Sequence, residues 1–481
     1  MRTFKSVVLF SPWNARPDTR PECMKVGFGS VGFFRRACSF LDAPGDPLPS
    51  PSTLFLVGNR DPACQVQALG LLRYPVKAVP KGSRQKGSKC RFCRIKHGLA
   101  SECRHQKGEV IDWGVGIRSF WNGMTEASGI QALLEFLEEN NGQRMKMFDS
   151  NERHRADRRS TAIISPYVRF GQLSPRFIVH LAKKKYGHRV SQTFLRRLVW
   201  RDLAYWSLWR FPDLPTVSFR LQYEKQTWNP DPNGTLLKAW QQGKTGYPLV
   251  DAAMRQLWVT GWMPNYMRHI VAGFLIEYLN LHWIHGEKWF HKTLVDADVA
   301  INAYMWQNGG HSGMDQWNFV MHPVFAAKTC DPDGDYVRRW VPELRGLSNS
   351  MIHCPWQATT GTLAAQRIIF NKTYPARCIV NLELARKRSH EAVMVVRRSE
   401  EGRKCILNSG HEIKMLHGGQ RAVLITRIDY REGKISTRQT ADETRDPKRR
   451  VPNKGNVFGS IMKSEMEQYE RTSQLRSEQM Y

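Results

Sequence analysis

The sequence predicts a mainly α protein, and three observations carry that prediction. Ile130, Leu133, Leu134, Phe136 and Leu137 recur at helical spacing. Phe194, Leu195, Leu198, Val199, Leu203, Trp206 and Trp209 draw a second, longer apolar stripe. Ser165-Pro166 and Ser174-Pro175 each place a hydroxyl just before a proline, the pair favoured where a helix begins.

Along the chain the text changes twice. Residues 1–108 read as a basic, poorly structured region: Pro and Gly recur, strand-like runs such as Leu54 to Gly58 are short, and Lys81 to Lys96 holds seven basic residues and no acid. Residues 109–395 form the helical domain, with Gly-rich loops at Gly243 to Pro248 and Asn308 to Gly313. Residues 396–481 lose aromatics and gain mixed charge, which predicts a largely disordered basic tail.

The 481 residues carry a formal charge of +29, with 41% hydrophobic and 24% charged residues, too apolar for a wholly disordered chain. The two flanks, 1–108 and 385–481, hold +21 of that charge, so the middle is ordinary and charge alone does not make it a DNA-binding domain. The most apolar stretch, Ile270 to Ile284, is broken by Glu277, Asn280 and His282, which predicts no membrane span. Ten scattered Cys and no secretory leader predict a reducing compartment. Cys90, Cys93, Cys103 and His105 offer four zinc-ligand types, but their spacing is shorter than a finger requires; solvated thiols and no metal site are expected. The basic cluster Pro447 to Lys454 suggests a nucleus, while Arg2, Lys5 and Arg16 with no intervening acid leave plastid or mitochondrion as the alternative.

The segment Trp283 to Trp306 is the richest in chemistry. Asp298 and Asn302, four apart, share a helical face, with Asp296 just ahead. That set suits a ligand with several donors and acceptors; taken alone, an N-capping Asp with solvent-facing neighbours explains it equally.

The run Trp240 to Leu257 (WQQGKTGYPLVDAAMRQL), Thr260-Gly-Trp-Met, Leu198 to Asp202 (LVWRD) and Asp331 to Leu344 (DPDGDYVRRWVPEL) together resemble the photolyase/cryptochrome family of blue-light flavoproteins over residues 109–357. The resemblance implies a helical FAD-binding domain. It also implies an α/β antenna domain ahead of it, which is not recognisable in 1–108; that domain is therefore expected to be reduced or absent, and a folate or deazaflavin pigment is not predicted.

Residue by residue, the resemblance places Thr161 and Ser165 at the FAD diphosphate, with Ala162 where the family often has a hydroxyl. It places Arg201, Trp262, Asn265, Arg268, Asp296, Asp298 and Asn302 around the flavin, Asn302 facing flavin N5. Trp306, Trp283 and Trp240 match the tryptophans that relay electrons from the surface. Trp200, Arg197 and Asn308 match walls that meet DNA, and His269 stands where six-four photolyases carry a catalytic His.

The function implied is DNA photolyase: repair of pyrimidine dimers in damaged DNA by electron transfer from excited reduced flavin. A cryptochrome photoreceptor acting on a signalling protein is the alternative. Asn302 and the basic balance favour repair; Arg197 and Asn308, which depart from the dimer-photolyase pattern, favour photoreception.

Overall fold

The computed structural model describes Phe34, residues 114–138, 143–313 and 320–399, and the strand pair 411–415 and 421–425. The basic region that opens the chain, the Cys90–Cys93–Cys103–His105 group and the Pro447 to Lys454 cluster lie outside the described residues. The chain divides into one unit of Met1–Gly45 with Gly123–Tyr481 and another of Asp46–Asn122. Of the second unit, helix α1 (Val115–Phe120) is described.

The first unit is helical in the order α2 (Glu126–Glu138), α3 (Gln143–Asp149), α4 (Ser165–Arg169), α5 (Pro175–Tyr186), α6 (Gln192–Arg210), α7 (Thr235–Gln241), α8 (Pro248–Thr260), α9 (Asn265–Gly273), α10 (Trp283–Thr293), α11 (Val299–Gly309), α12 (Ala327–Cys330), α13 (Asp335–Trp340), α14 (Thr360–Ala365) and α15 (Leu382–Arg398). The mainly α expectation holds. In the segment read as a disordered tail, β1 (His411–Met415) pairs antiparallel with β2 (Arg421–Ile425), His411 opposite Ile425. Two five-residue runs are too short to stand out against the surrounding charges in a sequence reading.

Two hydrophobic cores share one wall. The first gathers Trp240, Leu257, Ile270, Phe274, Trp283 and Trp306 from α7 to α11 and beyond. The second gathers Leu133, Phe136, Phe194, Leu198 and Leu203 from α2 and α6. Helix α11 serves both, because Trp306 faces the first while Ala300, Ala303 and Tyr304 face the second. It packs against α6 on one side and α10 on the other. A helix buried on two sides carries apolar residues nearly all round, and α11 does.

The conspicuous GKTGYPLVD and DPDGDY strings turn out to be local clamps. The Asp251 side chain, fully buried, accepts from Thr245 N and Oγ1, Gly246 N and Tyr374 Oη at 2.7–3.0 Å. Gly246 has φ +80 and lies so close to the Ala376 carbonyl that a Cβ would fall 2.5 Å from its oxygen. Asp331 likewise accepts from Tyr336 N and Val337 N, opening α13. Each buried carboxylate is thus surrounded by donors, which is what makes its burial tolerable.

Candidate active site

The site forms where α4, α9 and the loop before α11 converge. Ser165 was expected to cap α4. In the structure the N-cap is Ile164, without a side-chain bond, and Ser165 is the first helical residue. Its hydroxyl is thereby released for a long-range contact: Ser165 Oγ donates to Asp296 Oδ2 at 2.6 Å and accepts from Trp262 Nε1 at 3.4 Å. Just upstream, Ile163 sits at φ +54, a strained place for a β-branched residue and a common mark of ligand-gripping loops. The Thr161 carbonyl takes Arg144 Nη2 at 2.7 Å, fixing this loop from below.

Arg268 Nη2 reaches the same Asp296 Oδ2 at 2.8 Å, while its Nε donates to Met263 O at 3.0 Å. All the donors to Asp296 therefore crowd one oxygen. Asp296 Oδ1 is buried and has no hydrogen-bond partner among the described residues. A buried carboxylate oxygen without a donor costs free energy unless something supplies one, so this atom asks for an N–H or O–H from a ligand.

Asp298 answers both readings of its spacing. It is the N-cap of α11, its Oδ1 accepting from Ala300 N at 3.1 Å and Ile301 N at 3.2 Å. Its Oδ2 takes Arg201 Nη1 at 2.9 Å and Tyr205 Oη at 2.8 Å. Burial, then the Asp298 charge, pushes the Tyr205 phenol up to about 12. Arg201 Nε is buried and has no partner among the described residues, a second open polar atom at this site.

One turn along α11, Asn302 Nδ2 gives both its hydrogens to Glu287, at 2.9 Å to the backbone oxygen and 2.9 Å to Oε1. The amide is locked with its Oδ1 as the remaining acceptor. Burial pushes the Glu287 carboxyl up, partly offset by the Asn302 bond. Sequence reasoning missed Glu287; its one signal was a lone acid among the aromatics of Trp283 to Phe290, four residues after Trp283.

Trp306 and Trp283 pack reciprocally across the antiparallel α10–α11 pair. The Trp306 ring lies on Gly286, where a Cβ would stand 2.1 Å from it, and the Trp283 ring lies on Gly310, where a Cβ would stand 2.6 Å away. Beyond Trp283, the ring of His282 is 5.4 Å off, and Trp228, half-buried, is 5.0 Å beyond that. Trp240 is a different case. It is wholly buried, stands edge-on to Trp306 at 6.3 Å, and donates Nε1–H to Val271 O. A ring so enclosed cannot be the member of a relay that meets solvent.

The residues expected to meet DNA are divided. Trp200 is half-buried, edge-on to Tyr304 at 5.7 Å. Arg197 is half-buried; burial and the neighbouring Arg196 and Arg153 bring its guanidinium down to about 10. His269 on α9 and His154, stacked on Tyr266 at 3.9 Å, are both held neutral down to about 3 by burial, reinforced by Arg197 on His269 and by Arg153 on His154. Asn265, first residue of α9, is exposed. Asn308 is 1% exposed and tucked under Gly313, so its expected role as a DNA-facing wall is corrected: the side chain is interior.

Among the described residues no group of three or more His, Cys, Asp or Glu is arranged to hold a metal, and no helix is long and apolar enough to cross a membrane. A model of the FAD binding domain of DNA photolyase matches residues 194–394. A deoxyribodipyrimidine photo-lyase of Agrobacterium fabrum is 40% identical over 245 residues, 50% of this chain and 50% of that protein. Cryptochrome-1 of Arabidopsis thaliana is 30% identical over 425 residues, 86% of this chain and 55% of that one. That span exceeds the 109–357 stretch in which the likeness is legible by eye. A solved bacterial class III photolyase from Agrobacterium tumefaciens aligns at a TM-score of 0.61 and 30% identity, covering 82% of this chain and 73% of that one. The chain spans about half the length of the curated relatives it matches.

Proposed function

This chain belongs to the photolyase/cryptochrome family, and we propose on that footing that it is a light-driven FAD protein that repairs pyrimidine dimers in DNA. The observation that carries the reading is Asp296, a buried carboxylate held on one oxygen by Arg268 and Ser165 and left without a donor on the other. The donor set fits FAD: Asp296 Oδ1 and Asn302 Oδ1 would accept from the N–H edge of the flavin, Arg201 Nε would donate, and the strained Thr161–Ser165 loop would hold the diphosphate. When bound, FAD supplies a light-excited electron that passes to the dimer and returns, with no net redox change.

The chain's own residues do the rest. Asn302 cannot supply a proton, because a carboxamide is not an acid in this range, and its two bonds to Glu287 fix which way the amide faces. Trp306, one turn from Asn302, and Trp283 behind it supply the electron that recharges the cofactor. The outer end of that path falls to Trp228 through His282.

Reduced protein illuminated with DNA carrying a defined cyclobutane or six-four lesion is expected to restore intact thymines. Light-dependent flavin reduction without any restoration would instead establish the cryptochrome reading. That second reading draws on Arg197, which faces Arg196 and Arg153 rather than an acid, and on the interior Asn308. A Trp306→Phe change is expected to abolish the rapid phase of flavin photoreduction; unaltered transient-absorption kinetics would remove Trp306 from the path. A nuclear location, read from Pro447 to Lys454, completes the proposal and is checked by imaging a fluorescent fusion.

A further inference from the structure

We infer that Trp262, Trp258 and Trp289 form a second route by which an electron enters the cofactor site, separate from Trp306 and resting on the FAD reading above. Trp258 on α8 and Trp289 on α10 stack with ring centroids 5.8 Å apart and planes only 6° from parallel. By contrast, Trp240 and Trp306 meet at 79°. Both rings of the parallel pair are half-buried, so the stack reaches solvent.

The stack lies where two helices end beside the site. Val295 N donates to Gly261 O at 2.8 Å, stitching the end of α10 to the end of α8. The residue after each stitched position belongs to the site: Trp262 follows Gly261, and Asp296 follows Val295. Trp262 is buried and linked through Ser165 Oγ to Asp296. Trp258 stands four residues before Trp262 on the same short piece of chain, and its ring face leads on to Trp289.

Face-to-face indoles share a positive hole between two π systems, which makes the pair easier to oxidise than either ring alone, and an edge-on pair shares it poorly. The step balances as follows. Trp262 gives one electron to the excited cofactor, Trp258 refills Trp262, and the hole comes to rest on the Trp258–Trp289 stack. The exposed indole N–H releases its proton to water, and a thiol in solution returns one electron and one proton, becoming a thiyl radical; two such radicals, from two turnovers, join as disulfide.

The test has two readouts. In the flavin-free chain, the near-ultraviolet circular dichroism should show an exciton couplet that disappears in both Trp258→Phe and Trp289→Phe, with the far-ultraviolet spectrum unchanged. In the FAD-loaded Trp306→Phe chain, illuminated with thiol, a slower photoreduction should remain. Adding Trp258→Phe should abolish that remainder, and Trp258→Tyr, which keeps an oxidisable ring, should restore part of it. A remainder that survives both Phe changes, or Trp306→Phe alone removing all photoreduction, overturns the second route while leaving the flavoprotein reading intact. Failure of the unaltered chain to photoreduce at all overturns that reading, and the route falls with it.

Discussion

At Asp296 two donors share one oxygen while its twin has none among the described residues, an arrangement that leaves the carboxylate open to a further donor. Asp296→Asn removes the charge that neutralises Arg268. Arg268 is itself about a quarter exposed, so the change is expected to cost roughly 2 kcal/mol rather than the ~3–5 of a fully buried pair. Urea unfolding checks the stability, and the flavin content of purified protein, expected to fall sharply, checks the site. Glu287 is the companion case. Glu287→Ala strands one hydrogen of a buried amide, the other staying on the backbone oxygen of residue 287, and should cost about 1–3 kcal/mol, whereas Glu287→Gln keeps an acceptor and should cost far less; equal losses in the two variants would show that Asn302 does not depend on that side-chain oxygen. Asp298 was legible from its spacing because capping is local, three residues deep. Glu287 was not, since its partner is Asn302 on another helix and nothing in a single sequence announces which helices will be neighbours.

The element that organises the site is the antiparallel pair α10–α11, and its close approach rests on two glycines. Gly286 and Gly310 each receive the indole of the opposite helix, so neither can carry a Cβ without displacing Trp306 or Trp283. Gly286→Ala is expected to cost about 1–3 kcal/mol by overpacking and to slow photoreduction with it; a variant with unchanged melting and unchanged kinetics would mean that the ring moves aside freely. Helix starts were readable where a serine-proline pair marks them, at α4 and α5, whereas Pro248, which opens α8, was read as the end of a loop. The use of the hydroxyl ahead of Pro166 was not readable, because Ser165 turns away from its own helix toward Asp296, 131 residues on. The same limit explains Trp240. Motif position placed it in the electron relay, but only packing reveals that it is enclosed on every side, with its N–H bound to Val271 O.

Across the whole molecule, the described residues keep several imidazoles neutral inside the fold, and that sets a pH dependence whose sign can be worked out. His154 and His269 are brought down to about 3 and His322 to about 4, in each case first by burial. For His322 the geometry gives a further reason: Nδ1 accepts from Val324 N at 3.2 Å and Phe325 N at 3.3 Å, and a protonated ring could not do so. In the unfolded chain the same groups titrate near 6.5, so below that pH the unfolded state binds more protons and stability falls as pH falls, down to the folded values of about 3 to 4. Each imidazole contributes up to about 1.4 kcal/mol per pH unit within that window. Asp251, Asp331 and Glu287 act in the opposite sense, because burial raises them and their protonation favours the folded state in acid. Their window opens at unfolded values near 4 and runs upward, so from about pH 6.5 to 5 they offset part of the decline that the histidines impose. Urea midpoints measured at steps across that range should decline steadily. His322→Asn, which keeps an oxygen to accept the two backbone N–H groups but cannot take up a proton, should flatten part of the decline. A profile that stays level from pH 7 to 5, or a His322→Asn chain as acid-sensitive as the original, would show that these rings are protonated in place and that the fold does not exclude their charge.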